Sequence, residues 1–387
     1  MKHIWTLLLL FFVSTKLFAQ VDNALLLDYI QNQKYKEAAQ YLKSVYPEPI
    51  TDDKALQNLA YTSRMSGALS DAENYYLRLF QKDSTKTSVL FSLGSINLSR
   101  QNKQKAMVYY KKILTLDSNN FSVYKQLGDL AQGDTINCLM YLQKANSLNP
   151  IDADVAYDLS RIYLKKNKPD VLILATNVLD KALQADTANL FLLETKTNVL
   201  YLQKRSKETI DACNKLIANG NKAPQVISWM AISYFRLRQY KQCLTTFQMV
   251  PFEKQNEGIF FYMAECYRAL NDDPNAIACY QKAIKDGISG NIPDYYIDMG
   301  DCYVNLHQSG KALAAYQRSL TFDDRPLTYY SLANLYDVEL KESKTAIKYF
   351  KKYLAAKPNP AEEQKYIDYA KFKIAPAATA STSAAAH

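Results

Sequence analysis

Apolar residues recur along this chain three or four positions apart, in runs broken by short polar turns. That spacing places them on one face of an α-helix. The clearest example runs from Tyr296 to Ser319, YIDMGDCYVNLHQSGKALAAYQRS, and predicts two amphipathic helices around a polar turn at Leu306–Gly310. Met299 and Gly300 fall together on the first helix with Tyr303 one turn on, and Ala312 and Tyr316 lie one turn apart on the second. Small residues let two helix backbones approach closely, and aromatic rings fill the space beside them.

The same device returns along nearly the whole chain. The small residue of each second helix falls at Ala38, Ala72, Ala106, Cys138, Ala175, Thr209, Cys243, Ala276, Ala312 and Ala346, in steps of 32 to 37 residues that are most often 34. A large residue follows four positions later at Leu42, Tyr76, Tyr110, Leu142, Leu179, Phe247, Tyr280, Tyr316 and Phe350, with Cys213 the weak member. First helices carry an apolar residue followed by a small one, as at Leu59-Ala60, Leu93-Gly94, Met230-Ala231, Met263-Ala264 and Met299-Gly300. A period near 34 with this content is the signature of a helix–turn–helix solenoid. The step of 32 implies a short turn at Gly133-Asp134-Thr135, the step of 37 extra residues around Lys166–Leu172 with Pro169 as breaker, and the step of 36 a loop at Asp286–Pro293. Lys196 and Thr197 stand where an apolar residue and Gly are expected, which predicts a shifted first helix in the sixth repeat.

Tyr296-x2-Met299-Gly300-x2-Tyr303, then Ala312 and Tyr316, together with Pro150 and Pro358 at repeat ends, resembles the tetratricopeptide repeat family over roughly residues 22–360. The resemblance implies an all-α fold, a right-handed α-solenoid of about ten helix–turn–helix units. Residues 20–360 are then the repeat array. A final helix over 361–373 is expected to cap the open end of the stack, which would otherwise expose an apolar face. The Ala/Ser/Thr composition of residues 374–387 predicts a disordered tail.

Composition agrees with a helical chain: 10 Gly and 12 Pro in 387 residues is sparse, and 30 Tyr dominate the aromatic content. Residues 1–19 read as a secretory signal, with Lys2 as positive region, Leu7–Val13 as apolar stretch and Leu17-Phe18-Ala19 before the cut. The apolar run is short for a membrane span, so no span is expected after cleavage. The expected location is therefore outside the cytoplasm, periplasmic or at the cell surface of a Gram-negative-type bacterium. The formal net charge of +9 includes Lys2 and Lys16 of the signal, and the remaining mild excess on an exported chain argues against a nucleic-acid partner. Six cysteines lie at helical positions where small apolar residues are usual, so buried free thiols are expected. Cys243, Cys266, Cys279 and Cys302 form the cluster in which pairing is worth testing.

Catalytic chemistry finds no foothold. After signal removal only His307 and His387 remain, without His or Cys at metal-ligand spacing, and no Gly-rich phosphate loop is present. The acid pairs Asp272-Asp273 and Asp323-Asp324 fall at turns, where helix capping explains them. No catalytic residue, metal or cofactor is expected. The family resemblance implies instead that first helices line a concave face that grips a peptide or protein segment. Its pattern selects Gln57, Tyr61, Arg64, Phe91, Ser95, Lys125, Asp129, Tyr157, Arg161, Phe235, Arg236, Phe261, Glu265, Arg268, Asp301, Asn305, Tyr330, Asn334 and Asp337. Basic residues occupy the first two thirds of this row and acids and amides its end. Either the row is a binding groove or its charges merely solvate an inner surface. Lys125 fits the first position of a carboxylate clamp, but Asp129 would repel a carboxylate, so that mode is not expected. The expected function is a non-enzymatic interaction scaffold in the bacterial envelope; the alternative is a structural accessory subunit of an envelope secretion or outer-membrane assembly machine.

Overall fold

The computed structural model describes residues 21–287 and 289–375. The expected signal at 1–19 and all but the first two residues of the expected tail lie outside the described residues.

Among the described residues the chain forms 21 α-helices and no β-strand. In order they are α1 (Asn23–Gln31), α2 (Tyr35–Val45), α3 (Asp53–Met65), α4 (Leu69–Lys82), α5 (Thr87–Ser99), α6 (Lys103–Leu116), α7 (Phe121–Leu130), α8 (Thr135–Leu148), α9 (Ala153–Lys166), α10 (Pro169–Ala185) and α11 (Leu190–Leu202). They continue with α12 (Ser206–Ala218), α13 (Pro224–Arg236), α14 (Tyr240–Phe247), α15 (Glu257–Ala269), α16 (Asp273–Asp286), α17 (Ile292–Asn305), α18 (Ser309–Ser319), α19 (Pro326–Asn334), α20 (Ser343–Ala355) and α21 (Pro360–Ile374). A π-helical turn, Leu335–Glu339, extends α19. Two compact units result, one of residues 21–165 with 180–185, the other of 166–179 with 186–375.

Local chemistry starts and stops these helices. Asp22, Asp52, Asn120, Asp134, Asn189, Asn256 and Asp272 cap helix N-termini, each side-chain oxygen accepting a backbone N–H of the first turn. Asp272 thus has the capping role expected of it. Proline opens α13, α19 and α21, where its missing N–H has no intrahelical partner to lose. The turn inside most hairpins reuses one geometry. A single residue takes the left-handed conformation at Gln33, Gly67, Gln101, Lys204, Arg238, Asn271 and His307. The next residue's N–H then reaches back to a carbonyl five positions earlier, as in Gln308 N to Tyr303 O at 2.9 Å and Asn102 N to Asn97 O at 2.8 Å.

In the first unit α1 packs on α2, α3 on α4, α5 on α6 and α7 on α8, and each hairpin stacks on the next. In the second, α11 packs on α12, α13 on α14, α15 on α16, α17 on α18 and α19 on α20, and the first helices α11, α13 and α15 also touch in series, as do α17 and α19. This is the all-α hairpin solenoid implied by the sequence. The two recurring marks explain the close packing. Every small residue named for the second helices is buried, and so is every large one. Tyr110 lies so close over Gly94 that a Cβ there would stand 2.6 Å from its ring, and Gly300 is covered in the same way by Tyr316. The expected shift of the sixth repeat does not occur. Thr197 is fully buried at the position of the small residue, and its hydroxyl donates to Leu193 O at 2.7 Å, which lets a polar side chain take that place.

Helix α21 lays Ile367 and Ala370 against Ala333, Ala346, Phe350 and Tyr353. It spans Pro360–Ile374 and covers the apolar face of α19 and α20. Among the described residues no helix is long and apolar enough to cross a membrane. All six cysteines are buried and free, and burial pushes the Cys213 thiol up to about 12.

Candidate functional site

The candidate residues of the first unit are placed on its first helices but are largely engaged with neighbouring side chains of the unit itself. Tyr61 meets Tyr35 edge-on at 6.1 Å, and Phe91 leans on the buried Tyr110 at 5.4 Å. The Arg64 Nε is buried without a hydrogen-bond partner. Lys125 donates to Asp152 at 3.0 Å and to Asp154 at 2.7 Å. Burial and the neighbouring Asp158 raise the Asp129 carboxyl, so the surroundings of Lys125 are acidic. Arg161 lies over the Tyr157 ring at 5.5 Å.

In the second unit Phe235 packs on Tyr262 at 5.3 Å and Phe261 stacks on Tyr295 at 5.1 Å. Arg236 covers the Tyr201 ring at 4.3 Å and donates to Tyr201 O at 2.8 Å. The anticipated basic arm is therefore not a row of free cations. Lys125, Arg236 and Arg268 are each held by carboxylates, a ring or a carbonyl, because neighbouring repeats place such partners one helix away.

Five of the sequence candidates do come together. Arg268, Asp301, Asn305, Tyr330 and Asn334 line a single cavity of about 720 Å³. Helices α15, α17, α18 and α19, the π-helical turn and α21 build it. Solvent reaches it past the exposed Leu327 and Val338. Its floor is ionic. The Arg268 guanidinium donates to Asp298 at 2.9 Å and to Glu265 at 3.0 Å, and stands 3.9 Å from Asp301. Tyr316 donates to Asp301 at 2.6 Å, and Tyr280 donates to Glu265. Burial is the main cause that raises the Asp298 carboxyl, to about 7; Arg268 opposes this, while Glu265, Asp301 and Asp294 add to it. Asp301 is also raised, by burial first, against the hydrogen bond from Tyr316. Tyr330 forms the aromatic wall, 4.7 Å from the Tyr366 ring. Asp337 is turned to Lys373 at 2.5 Å. His307 is an exposed turn residue, its Nδ1 3.9 Å from Glu339.

Among the described residues no three His, Cys, Asp or Glu side chains gather in a way that could hold a metal ion. The arrangement offers a polar, carboxylate-rich floor beneath tyrosines, which suits non-covalent recognition of a polar or cationic group.

Models of the tetratricopeptide repeat match residues 87–120, 259–286 and 327–360. At those three stretches the chain carries tetratricopeptide repeats. The last two matches include α15 and α19, so tetratricopeptide hairpins themselves supply Arg268 and Tyr330. Repeats of this family typically form non-catalytic scaffolds for protein–protein interaction. Among solved structures the chain is similar to a tetratricopeptide repeat protein, to Tom70 and to YrrB. The first, from Parabacteroides merdae, is 17% identical, with 63% of this chain and 96% of that one covered at a TM-score of 0.40. Yeast Tom70 is 14% identical, with 90% and 94% covered at 0.39. YrrB, described as having an unusual peptide-binding site, is 13% identical, with 53% and 97% covered at 0.41. No curated protein sequence matches the chain.

The tetratricopeptide pattern missed Asp298 and Tyr366. Asp298 stands two residues before Gly300, a position the family pattern does not count as inward, and it joins the floor because it meets Arg268 one repeat earlier. Tyr366 lies on α21, which shows no repeat mark at all. The signal that could have found Asp298 is its i, i+3 spacing to Asp301, which puts both carboxylates on one helix face.

Proposed function

We propose that this chain is a non-enzymatic scaffold of the bacterial envelope that holds a segment of a partner protein along the first-helix face of its second unit. The cavity floored by Arg268, Asp298 and Asp301 and walled by Tyr330 carries this reading. It joins aromatic anchors, buried polar groups and open access on rigid, stacked helices, the combination that concentrates binding energy at protein interfaces. The envelope location rests on Met1–Ala19, whose charged start, apolar stretch and small-residue end suit an export signal.

A photo-crosslinking residue placed in intact cells at Leu327 or Val338, on the cavity rim, tests the binding face. An exposed position on α20, Lys348, serves as the control. Adducts of defined mass are expected from the rim and not from Lys348, and Tyr330→Ala should reduce them. Equal yields at both positions would move the partner to the second-helix surface. The same cells, fractionated, should release the protein with the periplasm or envelope; recovery with the cytoplasm overturns the location.

A further inference from the structure

We infer that the cavity beneath Tyr330 receives a lysine or arginine side chain of the partner segment, seated between the tyrosine wall and the carboxylates of Asp298 and Asp301. This rests on the binding face proposed above and adds the chemistry of what occupies it.

Charge accounting within the molecule points there. In the first unit Glu73 is a buried carboxylate flanked by two cations, Lys105 at 2.6 Å and Arg100. Burial alone would raise its carboxyl, yet hydrogen bonds from Lys105 and Asn97 and the charge of Arg100 outweigh burial and hold it below its ordinary value. In the second unit the ratio is inverted. Glu265, Asp298 and Asp301 surround the single guanidinium of Arg268, and Glu339 adds a fourth carboxyl on the cavity lining. Among the described residues that line the cavity Arg268 is the one cation, against the carboxyls of Asp298, Asp301 and Glu339, and the open space lies beside them.

The shape agrees. A cavity of about 720 Å³ exceeds what a single water-filled gap would leave, and it opens past Leu327 and Val338, so a long side chain can enter from outside. Its aromatic wall already attracts a cation of the chain itself, since Lys365 lies 4.7 Å from the centre of the Tyr366 ring. A guanidinium or ammonium between tyrosines and carboxylates gains both a cation–π contact and charge-assisted hydrogen bonds. A carboxylate or phosphate in the same place would meet the three acids of the lining, Asp298, Asp301 and Glu339, and one arginine.

The reading also sets a pH dependence. Asp298 faces Arg268 and Glu265 on α15, Tyr280 on α16 and Asp294 and Asp301 on its own helix, while Glu339 of the π-helical turn lines the same cavity. As Asp298 ionises near neutrality, the attraction for a cation should grow.

Fluorescence anisotropy of the full chain with three probes tests this: a short Ser/Ala peptide with two central arginines, its twin with glutamines, and free spermidine as competitor. The arginine peptide is expected to bind about tenfold or more tighter than the glutamine peptide near pH 8, and to weaken toward pH 6. Asp298→Asn with Asp301→Asn should remove most of this preference, and Glu339→Gln, at the rim, should reduce it about threefold without touching the floor. Equal binding of both peptides, or a preference unchanged in the Asn variant and in wild type across the pH range, overturns the inference. Displacement by spermidine at the same concentration as by the arginine peptide overturns the claim that the cation belongs to a protein segment. If rim crosslinks persist while the peptides bind equally, the cation is wrong and the binding face stands. If the rim crosslinks vanish, the binding face itself is lost.

Discussion

Gly94 shows how much one atom decides in this architecture. A Cβ at that position would stand 2.6 Å from the Tyr110 ring, and Tyr110 is fully buried and cannot swing aside. Alanine is the better helix former by about 1 kcal/mol. Overpacking of a close-packed core costs about 1–3 kcal/mol. The steric term wins, so Gly94→Ala should lower stability, by up to about 2 kcal/mol in a urea titration. A stabilised variant would mean that the two helices separate easily there. Such positions were legible without the structure because a small residue and a large one recur at a constant spacing. Thr197 was not, since its identity breaks the pattern and only its hydrogen bond to Leu193 O explains why the helix tolerates it.

Among elements, the hairpin turn is the unit most often repeated and the least visible in the sequence. Gln101 holds φ at 60°, and only Gly67 among the residues cited above for this turn is a glycine. A residue with a Cβ pays about 1–2 kcal/mol for that conformation. Glycine gives back about 0.5–1 kcal/mol through its freer unfolded chain. Gln101→Gly should therefore stabilise the protein by up to about 1 kcal/mol, read as a rise of the thermal midpoint; a fall would show that the Gln101 side chain itself contributes to the turn. Helix existence, order and pairing followed from apolar spacing, because each hairpin must bury its own stripe. The cavity was only half legible for the complementary reason. Arg268, Asp301, Asn305, Tyr330 and Asn334 sit at inward positions of recognisable repeats, whereas Asp298 and Tyr366 arrive by contacts across repeats, which a repeat pattern does not encode.

At the scale of the molecule, a positive net charge of +9 hides an acidic centre in the second unit, and that centre should be readable in stability against pH. Burial raises the Asp298 carboxyl from about 4 unfolded to about 7 folded. The folded state therefore binds more protons than the unfolded one across this window. Stability from this group is fully present below about pH 4 and is lost as pH rises through about 7, by at most on the order of 4 kcal/mol. Asp301, Asp129 and Asp158 are raised in the same direction and reinforce the slope. Asparagine at position 298 imitates the protonated acid at every pH. Urea titrations of wild type and Asp298→Asn should then agree near pH 4 and diverge above it, with the variant the more stable near pH 8. The opposite divergence, wild type gaining on the variant as pH rises, would mean that Arg268 already satisfies Asp298 in full. It would also remove the electrostatic reason for a second cation in the cavity, so one pair of titration curves bears on both the fold and what the fold holds.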